Sequence, residues 1–537
     1  MRGLGWASGV VLSIGLAGCS ATEFRCDGDE QCSDGGVCEV TGFCSQEDST
    51  CPSGRRYAPL SGSLSGECVI DPEGSTGPAT SAASGTSTTT TTTTGTTAPS
   101  TTGVTTTSDP STTTDPTEGA DTSTGSPNTI EFVDDDADDF GAGMLNGMVY
   151  DDGLRLPDDE NSLTYVSRVF DAGTDAATWT QLSWVPRAPY VKALPDDGVS
   201  EVGYAEDNAN MEDNVLLLHL DTESDMIAPG TALVDSSPAQ HDVTVQGTAN
   251  ATGPAVPKLG QAIGLNFDSY VVVAPNAEES LQFGTSDFTW SMWFRTQTPC
   301  FDATGTVSVN RVFMGIEDAA GGATSHAWFG CFNPAHPSCG RTSGTGFLGG
   351  TAADVNGGGL GVFCPNQPIV DEGWRHAALV KRGHANATLE VWLEGSLADT
   401  TPANYGAGFS FPANTPLTLG RLGNGFFADV DLDEVAIFRR ALSPEEIGGL
   451  YRRGNLLLGV MTRVCSTPDC DGVPLTGPGG STVEGWTDQS PEAGETLELT
   501  NSTGRYFQYS VRLIGVPPGG TGPRTPVLDE VRVVATL

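Results

Sequence analysis

The sequence lacks any uninterrupted apolar run of the roughly 18 residues that a membrane-spanning helix needs, which excludes a helical channel or transporter. Positive charge is also scarce, because 25 Lys and Arg residues face 68 Asp and Glu residues and leave a net charge of −43. Such a negative field repels phosphate groups, which excludes a nucleic-acid-binding protein. No Ser/His/Asp arrangement has a recognisable motif spacing, and no glycine-rich loop opens a helix as a phosphate site requires. The sequence therefore contains no recognisable catalytic motif of these kinds.

The composition indicates β structure in more than one domain. The chain has 537 residues, which is enough for roughly three or four domains. Hydrophobic residues make up 37%, enough for packed cores. The 69 glycines and 34 prolines favour turn-rich antiparallel sheets.

The first 18 residues are those of an export signal. The basic Arg2 precedes an apolar run that ends in Ala17 and Gly18, directly before Cys19. The string Leu16-Ala17-Gly18-Cys19 resembles the lipobox of bacterial lipoproteins. That resemblance implies that Cys19 is lipidated and becomes the first residue of the mature protein, and the neighbouring Ser20 suits outer-membrane sorting. The alternative is a plain signal peptide with an incidental cysteine.

Residues 19–70 form a predicted disulfide-rich module. Without Cys19, the 13 cysteines become 12, an even number that suits an oxidising compartment. Six of them lie in this short stretch: Cys26, Cys32, Cys38, Cys44, Cys51 and Cys68. So short a stretch buries little core, so three disulfides must hold it, and the spacing leaves their connectivity open. The stretch resembles the small Cys-rich modules that follow the lipid anchor in surface proteins of myxobacteria.

Residues 71–130 are predicted to be a disordered spacer. The stretch from Asp71 to Thr129 has no Lys, Arg, Cys or aromatic residue and is dominated by Thr, Ser, Gly and Pro. It cannot bury enough apolar surface to order itself. An acidic patch from Asp134 to Asp139 follows, for which a solvated run and a calcium site are the two interpretations.

Beyond the spacer, hydrophobic residues recur with the period of two that is typical of strands. Phe288 to Phe294 alternates as a half-buried strand, and Phe507, Tyr509, Val511 and Leu513 share one face of another. The clearest helix begins after Ser443, because Pro444 suits the first helical position and Glu446 completes a capping box. The expected class is all-β, with short strands packed as antiparallel sandwiches.

Residues 214–455 resemble a LamG-like jelly roll of the concanavalin A-like lectin/glucanase superfamily. Five pieces carry the resemblance: Leu216 to Leu220, Asp235 to Ser237, Phe288 to Phe294, Trp374 to Val380, and Asp433 to Phe438 followed by Ala441 to Ser443. The resemblance implies two packed antiparallel sheets that recognise glycans or proteins, in some cases with calcium.

The flanks at residues 131–213 and 456–537 each hold too few strand-like runs to enclose a core alone. Because the ends of a jelly roll lie close together, we expect both flanks to pair into one outer β-sandwich that carries the LamG-like domain as an insertion.

The string from Asp429 to Glu434 resembles the strand motif of retaining glucanases of the same superfold, in which a first carboxylate is the nucleophile and the last is the acid/base. Here the nucleophile position is Asp429, one methylene shorter than Glu. The apolar alternation also switches parity at Asp433 and Glu434, which predicts a β-bulge there. Both features argue against a hydrolase that would use Asp431 and Glu434.

Calcium is the one cofactor that the sequence suggests. The candidate ligands are Asp235, Asp429, Asp431 and Asp433, whose carboxylates are hard oxygen donors. The alternative is that they are solvated or cap backbone amides.

A Gly-rich excursion between Cys300 and Cys364 also holds Cys331 and Cys339, and Cys465 and Cys470 flank a small loop in the C-terminal flank. Disulfides are expected at all six of these cysteines. Zinc at Cys331, His336 and Cys339 is the alternative. Trp328, Phe329 and Phe332 on this excursion are candidate ligand-binding aromatics, with packing of the loop itself as the alternative.

Together these features predict an exported, lipid-anchored protein on the outer membrane or surface of a Gram-negative bacterium. Its expected partner is a glycan or another surface protein, recognised through the LamG-like domain, and its membrane contact is the lipid anchor alone. No enzymatic activity and no nucleic-acid partner are expected. The competing hypotheses are an exported glycan-active hydrolase and a structural envelope protein without a ligand.

Overall fold

The computed structural model describes two separate units of the chain, Met1–Glu118 and Gly119–Leu537. The described residues are Cys32, 36–39, 44–47, 55–57, 69 and 128–537, with gaps at 223–225, 255, 301–310, 318–324, 334–338, 341–343, 356–360, 413, 424, 488–494, 500–501 and 517–524. The signal sequence, Cys19 and almost all of the Thr-rich spacer therefore lie outside the described residues. Within the described part, no helix combines the length and the apolar character needed to cross a membrane.

The disulfide-rich module contains a small antiparallel sheet. Its strands are β1 (Val37–Cys38), β2 (Cys44–Glu47) and β3 (Arg55–Tyr57). Cys44 is paired in register with Cys38 and bonded to Cys32, and Cys38 is also disulfide-bonded. Cys26, Cys51 and Cys68 lie outside the described residues.

The N-terminal flank of the larger unit supplies six strands and a short helix. They are β4 (Thr129–Asp134), α1 (Ala137–Gly141), β5 (Val149–Tyr150), β6 (Leu154–Arg155), β7 (Ser162–Val166), β8 (Phe170–Asp171) and β9 (Thr178–Pro186). Residues 187–213, here called the connecting segment, lead from β9 into the inserted domain.

The described residues of the inserted domain form seventeen strands and one longer helix. They are β10 (Asn214–Leu218), β11 (Met226–Ile227), β12 (Ala232–Leu233), β13 (Val243–Gly247), β14 (Ala251–Thr252), β15 (Ile263–Leu265), β16 (Ser269–Val273), β17 (Phe288–Arg295), β18 (Arg311–Glu317), β19 (His326–Phe332), β20 (Phe347–Ala353), β21 (Gly361–Phe363), β22 (Arg375–Arg382), β23 (Ala387–Leu393), β24 (Ser396–Ala403), β25 (Leu417–Leu419), β26 (Val430–Phe438) and α2 (Pro444–Asn455).

The C-terminal flank then returns to the outer domain with β27 (Leu457–Cys465), a short 3₁₀ helix (Pro478–Gly480), β28 (Glu495–Glu498), β29 (Tyr506–Ile514) and β30 (Val527–Thr536). Both sheets of the outer domain contain strands from both flanks. One sheet joins β27 and β29 to β7 and β8, and the other joins β28 and β30 to β4, β5, β6 and β9. The expected fold class, a jelly roll inserted in a second β-sandwich, is confirmed.

The outer core is aromatic, as the alternation of β29 predicts. Phe507, Tyr509, Val511 and Leu513 are all fully buried and pack in one cluster with strands of the N-terminal flank. The Tyr509 hydroxyl donates to the Asp134 carboxylate at 2.6 Å. The flanks thus share one core, which neither could enclose alone.

The inserted domain is two antiparallel sheets packed face to face. One has nine strands, in the order β11-β14-β15-β26-β17-β22-β23-β24 with β10 also paired to β26, and the other has eight, in the order β12-β13-β16-β25-β18-β19-β20-β21. Their inner faces form the largest core of the described structure, to which Phe288, Trp290 and Phe294 belong.

The expectation that β17 is half-buried is wrong. Thr289, Ser291 and Trp293, on the side that alternation assigns to solvent, are buried as well. The reason is tertiary, because helix α2 and the connecting segment cover the outer face of the nine-stranded sheet. Residues from all three contribute to one apolar cluster: Leu194, Ala209 and Met211 from the connecting segment, Ile447 from α2, and Leu217, Ala378, Val380, Trp392, Ala436 and Phe438 from the sheet.

Helix α2 forms as its sequence predicts. The Ser443 side chain accepts from the Glu446 amide, and the Glu446 carboxylate accepts from the Ser443 amide at 2.7 Å, which completes the capping box. Its stacked contact with the sheet is between Tyr451 and Trp293, with ring centroids 6.0 Å apart. The helix ends at Asn455.

Candidate functional site: an aromatic–arginine face on the jelly roll

The eight-stranded sheet also has an outer face, on the side of the jelly roll opposite to the face that α2 covers. A loop of residues 420–428 folds onto part of it, held by hydrogen bonds from the Gly420 amide to Phe313 and from the Val312 amide to Phe426. Leu422 of this loop packs against Trp328 and Val312. A Cβ on Gly315, directly beneath, would lie 2.7 Å from Leu422, so the loop sits close against the sheet.

This loop helps to bury the aromatic residues that the sequence suggested as ligand-binding candidates. Trp328 is 7% exposed, Phe332 is buried in the same small cluster, and Phe329 points to the opposite side, into the main core. The expectation of an exposed ligand platform at these three residues is therefore wrong. The residues do pack beneath a loop, but that loop comes from a sequence region some ninety positions away.

A different set of side chains, from the loop and from the strands next to it, is exposed or half-buried on this face. We call it the aromatic–arginine face, and its members are Phe267, Tyr270, Arg311, Arg421, Phe426 and Phe427. The Arg421 guanidinium lies over the Tyr270 ring, 3.5 Å from its centroid, and the Arg311 guanidinium lies 4.2 Å from the centroid of Phe267.

Further contacts make this face continuous. Arg311 donates to the Phe427 carbonyl at 3.0 Å, and the Phe427 ring meets Tyr270 edge-on with centroids 6.2 Å apart. Phe267 is 39% exposed and Phe426 is 46% exposed. Aromatic rings of this size are usually buried, so two exposed rings close to arginines that stack on Phe267 and Tyr270 are typical of a binding surface.

Local backbone chemistry holds the two exposed rings in place. Phe267 lies at the tip of the turn between β15 and β16, where the Asn266 side chain accepts from the Asp268 amide at 2.9 Å. Phe426 has a φ of 57°, a left-handed conformation that a bulky side chain rarely adopts. Its carbonyl accepts from Val312 at 3.0 Å, so the strained position is fixed by the sheet.

The face carries positive charge in a strongly acidic protein. Among the described residues, no carboxylate lies within ion-pair distance of Arg421, whose Nε is buried without a hydrogen-bond partner. Burial lowers the pKa of Arg421, and the nearby Tyr270 only partly offsets this. The guanidinium remains protonated at every physiological pH. A ligand carboxylate or sulfate would supply the missing counter-charge through paired hydrogen bonds.

The carboxylates of the glucanase-like string have different partners within the protein. Asp431 forms an ion pair with Arg295 at 2.7 Å, whereas Glu434 accepts from the Leu194 amide at 2.9 Å and pairs with His219. Asp429, at the nucleophile position of that motif, accepts from the Thr298 hydroxyl. All three carboxylates are therefore engaged by neighbouring groups of the protein.

The expected β-bulge is present. Ser291 pairs with Ala436 and Trp293 with Asp433, so Glu434 and Val435 together oppose Met292. Glu434 has a φ of 47° at this point. Burial and the adjacent Glu434 charge raise the pKa of Asp433 to about 9. The bulge thus turns Glu434 towards the connecting segment. Asp433 is buried next to the backbone of Lys258 and Leu259.

The candidate calcium ligands do not assemble. Asp235 accepts from the amides of Leu217, Ser237 and His241 and from the His241 ring, which occupies both of its oxygens. Asp433 accepts from the amides of Lys258 and Leu259, and Asp429 from the Thr298 hydroxyl. The proposed alternative, aspartates that cap backbone amides, describes Asp235 and Asp433.

In the part of the chain that the structure describes, one group of carboxylates is close enough to share a cation: Asp135, Asp136 and Asp139. Two of these residues have structural roles. Asp136 caps α1 by accepting from the amides of Asp138 and Asp139, and Asp139 forms an ion pair with Arg168 at 2.7 Å.

The described cysteines beyond the first module are disulfide-bonded. The pairs are Cys300–Cys331, Cys339–Cys364 and Cys465–Cys470. Zinc binding by Cys331 and Cys339 is therefore excluded, and His336 lies outside the described residues.

A network of charged groups fastens the connecting segment to the inserted domain. His219, directly after β10, contacts Glu434 on one side and Asp196 on the other, at 2.9 Å for Asp196. Burial lowers the pKa of His219, but the hydrogen bonds with these two carboxylates outweigh it and raise the pKa to about 9. Nearby, Glu201 of the connecting segment pairs with Lys192 and with Arg453 of α2.

Comparison with known proteins agrees with this architecture. Residues 266–448 match the family model of the concanavalin A-like lectin/glucanases superfamily, a span of less than half of the chain. The resemblance to this superfamily is confirmed over those residues. No curated protein matches the sequence.

Three solved structures show the range of similar chains. A botulinum neurotoxin type C, studied for its interaction with two ganglioside molecules, is 16% identical, with 44% of this chain and 50% of that chain covered and a TM-score of 0.32. The binding domain of Paraclostridial Mosquitocidal Protein 1 is 16% identical, with 55% and 72% covered and a TM-score of 0.33. Domain 4 of AbnA, an extracellular GH43 arabinanase from Geobacillus stearothermophilus in complex with arabinotriose, is 16% identical, with 43% and 100% covered and a TM-score of 0.28. At such low scores these likenesses carry no argument about what this protein binds.

We predict that Asp235→Asn lowers the free energy of unfolding by about 3 kcal/mol, because it weakens the buried hydrogen bonds that the Asp235 carboxylate accepts from His241 and from backbone amides. Burial raises the pKa of Asp235, but its hydrogen bonds from His241 and from backbone amides leave it below the usual value. Urea unfolding should show the same loss with calcium and with EDTA, and the exposed Asp242→Asn should show none. A loss that is confined to calcium-containing buffer would contradict the structural role.

We also predict that His219 makes stability fall at alkaline pH. Its folded pKa of about 9 exceeds the value of about 6.5 in an unfolded chain. The stabilisation is therefore complete below pH 6.5 and lost as the pH rises through 9, by about 3 kcal/mol. Urea unfolding of the wild type and His219→Gln at pH 6 to pH 10 isolates this effect as the difference between two curves. Parallel curves would show that His219 is not charged in the folded protein.

Proposed function

We propose that this protein is an exported, lipid-anchored recognition protein whose jelly roll binds a negatively charged glycan through the aromatic–arginine face. The observation that carries the proposal is the pair of stacked arginines beside exposed rings: Arg421 on Tyr270 and Arg311 on Phe267, with Phe426 exposed next to them. Flat aromatic surfaces pack against the apolar faces of sugar rings, while guanidinium groups pair with carboxylate or sulfate groups.

The choice of an acidic ligand follows from the charge distribution. A protein with a net charge of −43 repels anions over most of its surface. Binding of an anionic glycan therefore needs a local site where the charge is reversed. Arg421, which lacks a carboxylate partner among the described residues, provides such a site, and the surrounding field would reject ligands that do not reach it.

Binding without hydrolysis is supported by the state of the carboxylates on β26. Asp431, Asp433 and Glu434 all accept hydrogen bonds or form ion pairs within the protein. A retaining glycosidase needs two carboxyl groups that face one substrate across about 5 Å. Loss of hydrolysis in Glu434→Gln would be the signature of the competing hydrolase hypothesis.

The anchor and the compartment rest on the N-terminal sequence. The lipobox-like Leu16 to Cys19 string and the Thr-rich spacer suit a domain held away from an outer membrane. The disulfides at Cys300, Cys339 and Cys465 suit an oxidising compartment. Metabolic labelling with a radioactive fatty acid would test the anchor, since Cys19→Ser should remove the label.

The binding proposal is tested with the fragment Asn128 to Leu537 on an array of glycans with and without uronic acid, sialic acid and sulfate groups. We expect saturable binding to charged glycans, weakened by added salt, and no release of reducing ends. Arg421→Ala and Phe426→Ala should each weaken binding about tenfold, equivalent to about 1.4 kcal/mol. Arg512→Ala, which removes the same charge from an exposed position in the outer domain, is the matched control.

Equal binding by all three variants and the wild type would contradict a site at this face. If no charged glycan binds, the proposal of a glycan ligand is contradicted and a protein partner is favoured. Release of reducing ends would show that the protein is a hydrolase.

A further inference from the structure

A cavity of about 210 Å³ lies between helix α2 and the connecting segment, on the side of the inserted domain that the glycan proposal does not use. We call it the junction pocket. Its floor is apolar, formed by Met211, Phe438, Leu442 and Leu450, of which the first three are buried. Concave sites with an apolar floor at the junction of two elements are where small ligand groups bind most often.

The rim of the junction pocket is acidic. Asp207, Glu445 and Glu446 line it. Asp207 is neutralised by Arg452 at 2.6 Å, and Glu446 by Arg440 at 2.7 Å. Arg453, the cation at the pocket wall, is itself paired with Glu201.

Glu445 therefore carries the local excess charge. It is exposed, and among the described residues no cation lies within ion-pair distance of it. A ligand that fits both features has an apolar stem for the floor and a positive charge for Glu445. An anion would meet three carboxylates, two of them already paired, and would be repelled.

Helix α2 keeps the pocket wall open with a glycine. Gly449 lies in the interior of the helix, where glycine is among the least favourable residues. Packing does not require it, because a Cβ there would meet Asp207 at 3.4 Å or more, an ordinary contact distance. By contrast, a Cβ on the neighbouring Gly448 would crowd the Arg452 guanidinium at 2.9 Å. The missing side chain at Gly449 thus enlarges the pocket at a cost to helix stability.

We propose that the junction pocket binds a primary alkylammonium group, with its methylene stem on Met211, Leu442 and Leu450 and its charge at Glu445. Long aliphatic amines bury their stems while the charged head stays at a polar rim, which is the arrangement offered here. The negative field of the whole chain raises the local concentration of cations near the pocket. The group can come from a lysine side chain of a partner protein or from a free diamine, and both share this chemistry.

The test is calorimetric titration of the full chain with hexylamine, with hexanol as the neutral match. We expect saturable binding of hexylamine and much weaker binding of hexanol. Glu445→Gln should weaken hexylamine about threefold, the range for a partly exposed ion pair. Gly449→Leu should abolish binding because its side chain fills the cavity, while helix propensity predicts an unchanged or higher melting temperature.

Glu372→Gln is the matched control for the loss of charge, because it removes an exposed carboxylate that does not line the pocket, and it should bind hexylamine as the wild type does. Titrations with cadaverine and with a lysine-containing peptide distinguish the two sources of the amine, and binding of either supports the proposal. Equal affinity for hexylamine and hexanol, or undiminished binding by Gly449→Leu, would overturn it. Absence of hexylamine binding at millimolar concentrations would also overturn it. None of these results depends on whether a glycan binds the opposite face.

Discussion

The register shift at Asp433 and Glu434 joins the two domains of the larger unit. Because one extra residue is inserted in β26, Glu434 turns out of the sheet and accepts from the Leu194 amide of the connecting segment. The segment then lies over the nine-stranded sheet together with α2, and their apolar side chains bury its outer face. A strand without the bulge would place every following side chain on the opposite face. The bulge therefore decides which residues of β26 face the connecting segment and which face the core of the jelly roll.

Covering one sheet leaves the other available for recognition. The outer face of the eight-stranded sheet is partly occupied by the 420–428 loop, which buries Trp328 and at the same time presents Phe426 beside Arg421. The loop thus completes a local core and builds the exposed face in one step. Functional side chains placed on loops over a rigid sheet are common in binding proteins, and the disulfide between Cys339 and Cys364 reinforces the same end of the sheet.

Local patterns predicted the elements, and tertiary contacts decided which surfaces are exposed. The capping box at Ser443, the bulge at Asp433 and the buried face of β29 follow from neighbouring residues, so the sequence was sufficient for them. The burial of Trp328 depends on Leu422, which no periodicity links to it. The aromatic–arginine face was missed for the same reason, because Phe267, Arg311 and Arg421 are distant in sequence. The one local signal was the Phe426-Phe427 pair in a glycine-rich loop.

Hydroxyl-radical footprinting of the fragment Asn128 to Leu537, with and without a charged glycan that it binds, tests the recognition surface most directly. Phe267, Tyr270 and Phe426 should be protected by the glycan, whereas exposed side chains of the outer domain such as Met144 should keep their reactivity. Protection of residues around α2, with Phe426 and Tyr270 left reactive, would contradict the claim that the open face of the eight-stranded sheet is the recognition surface.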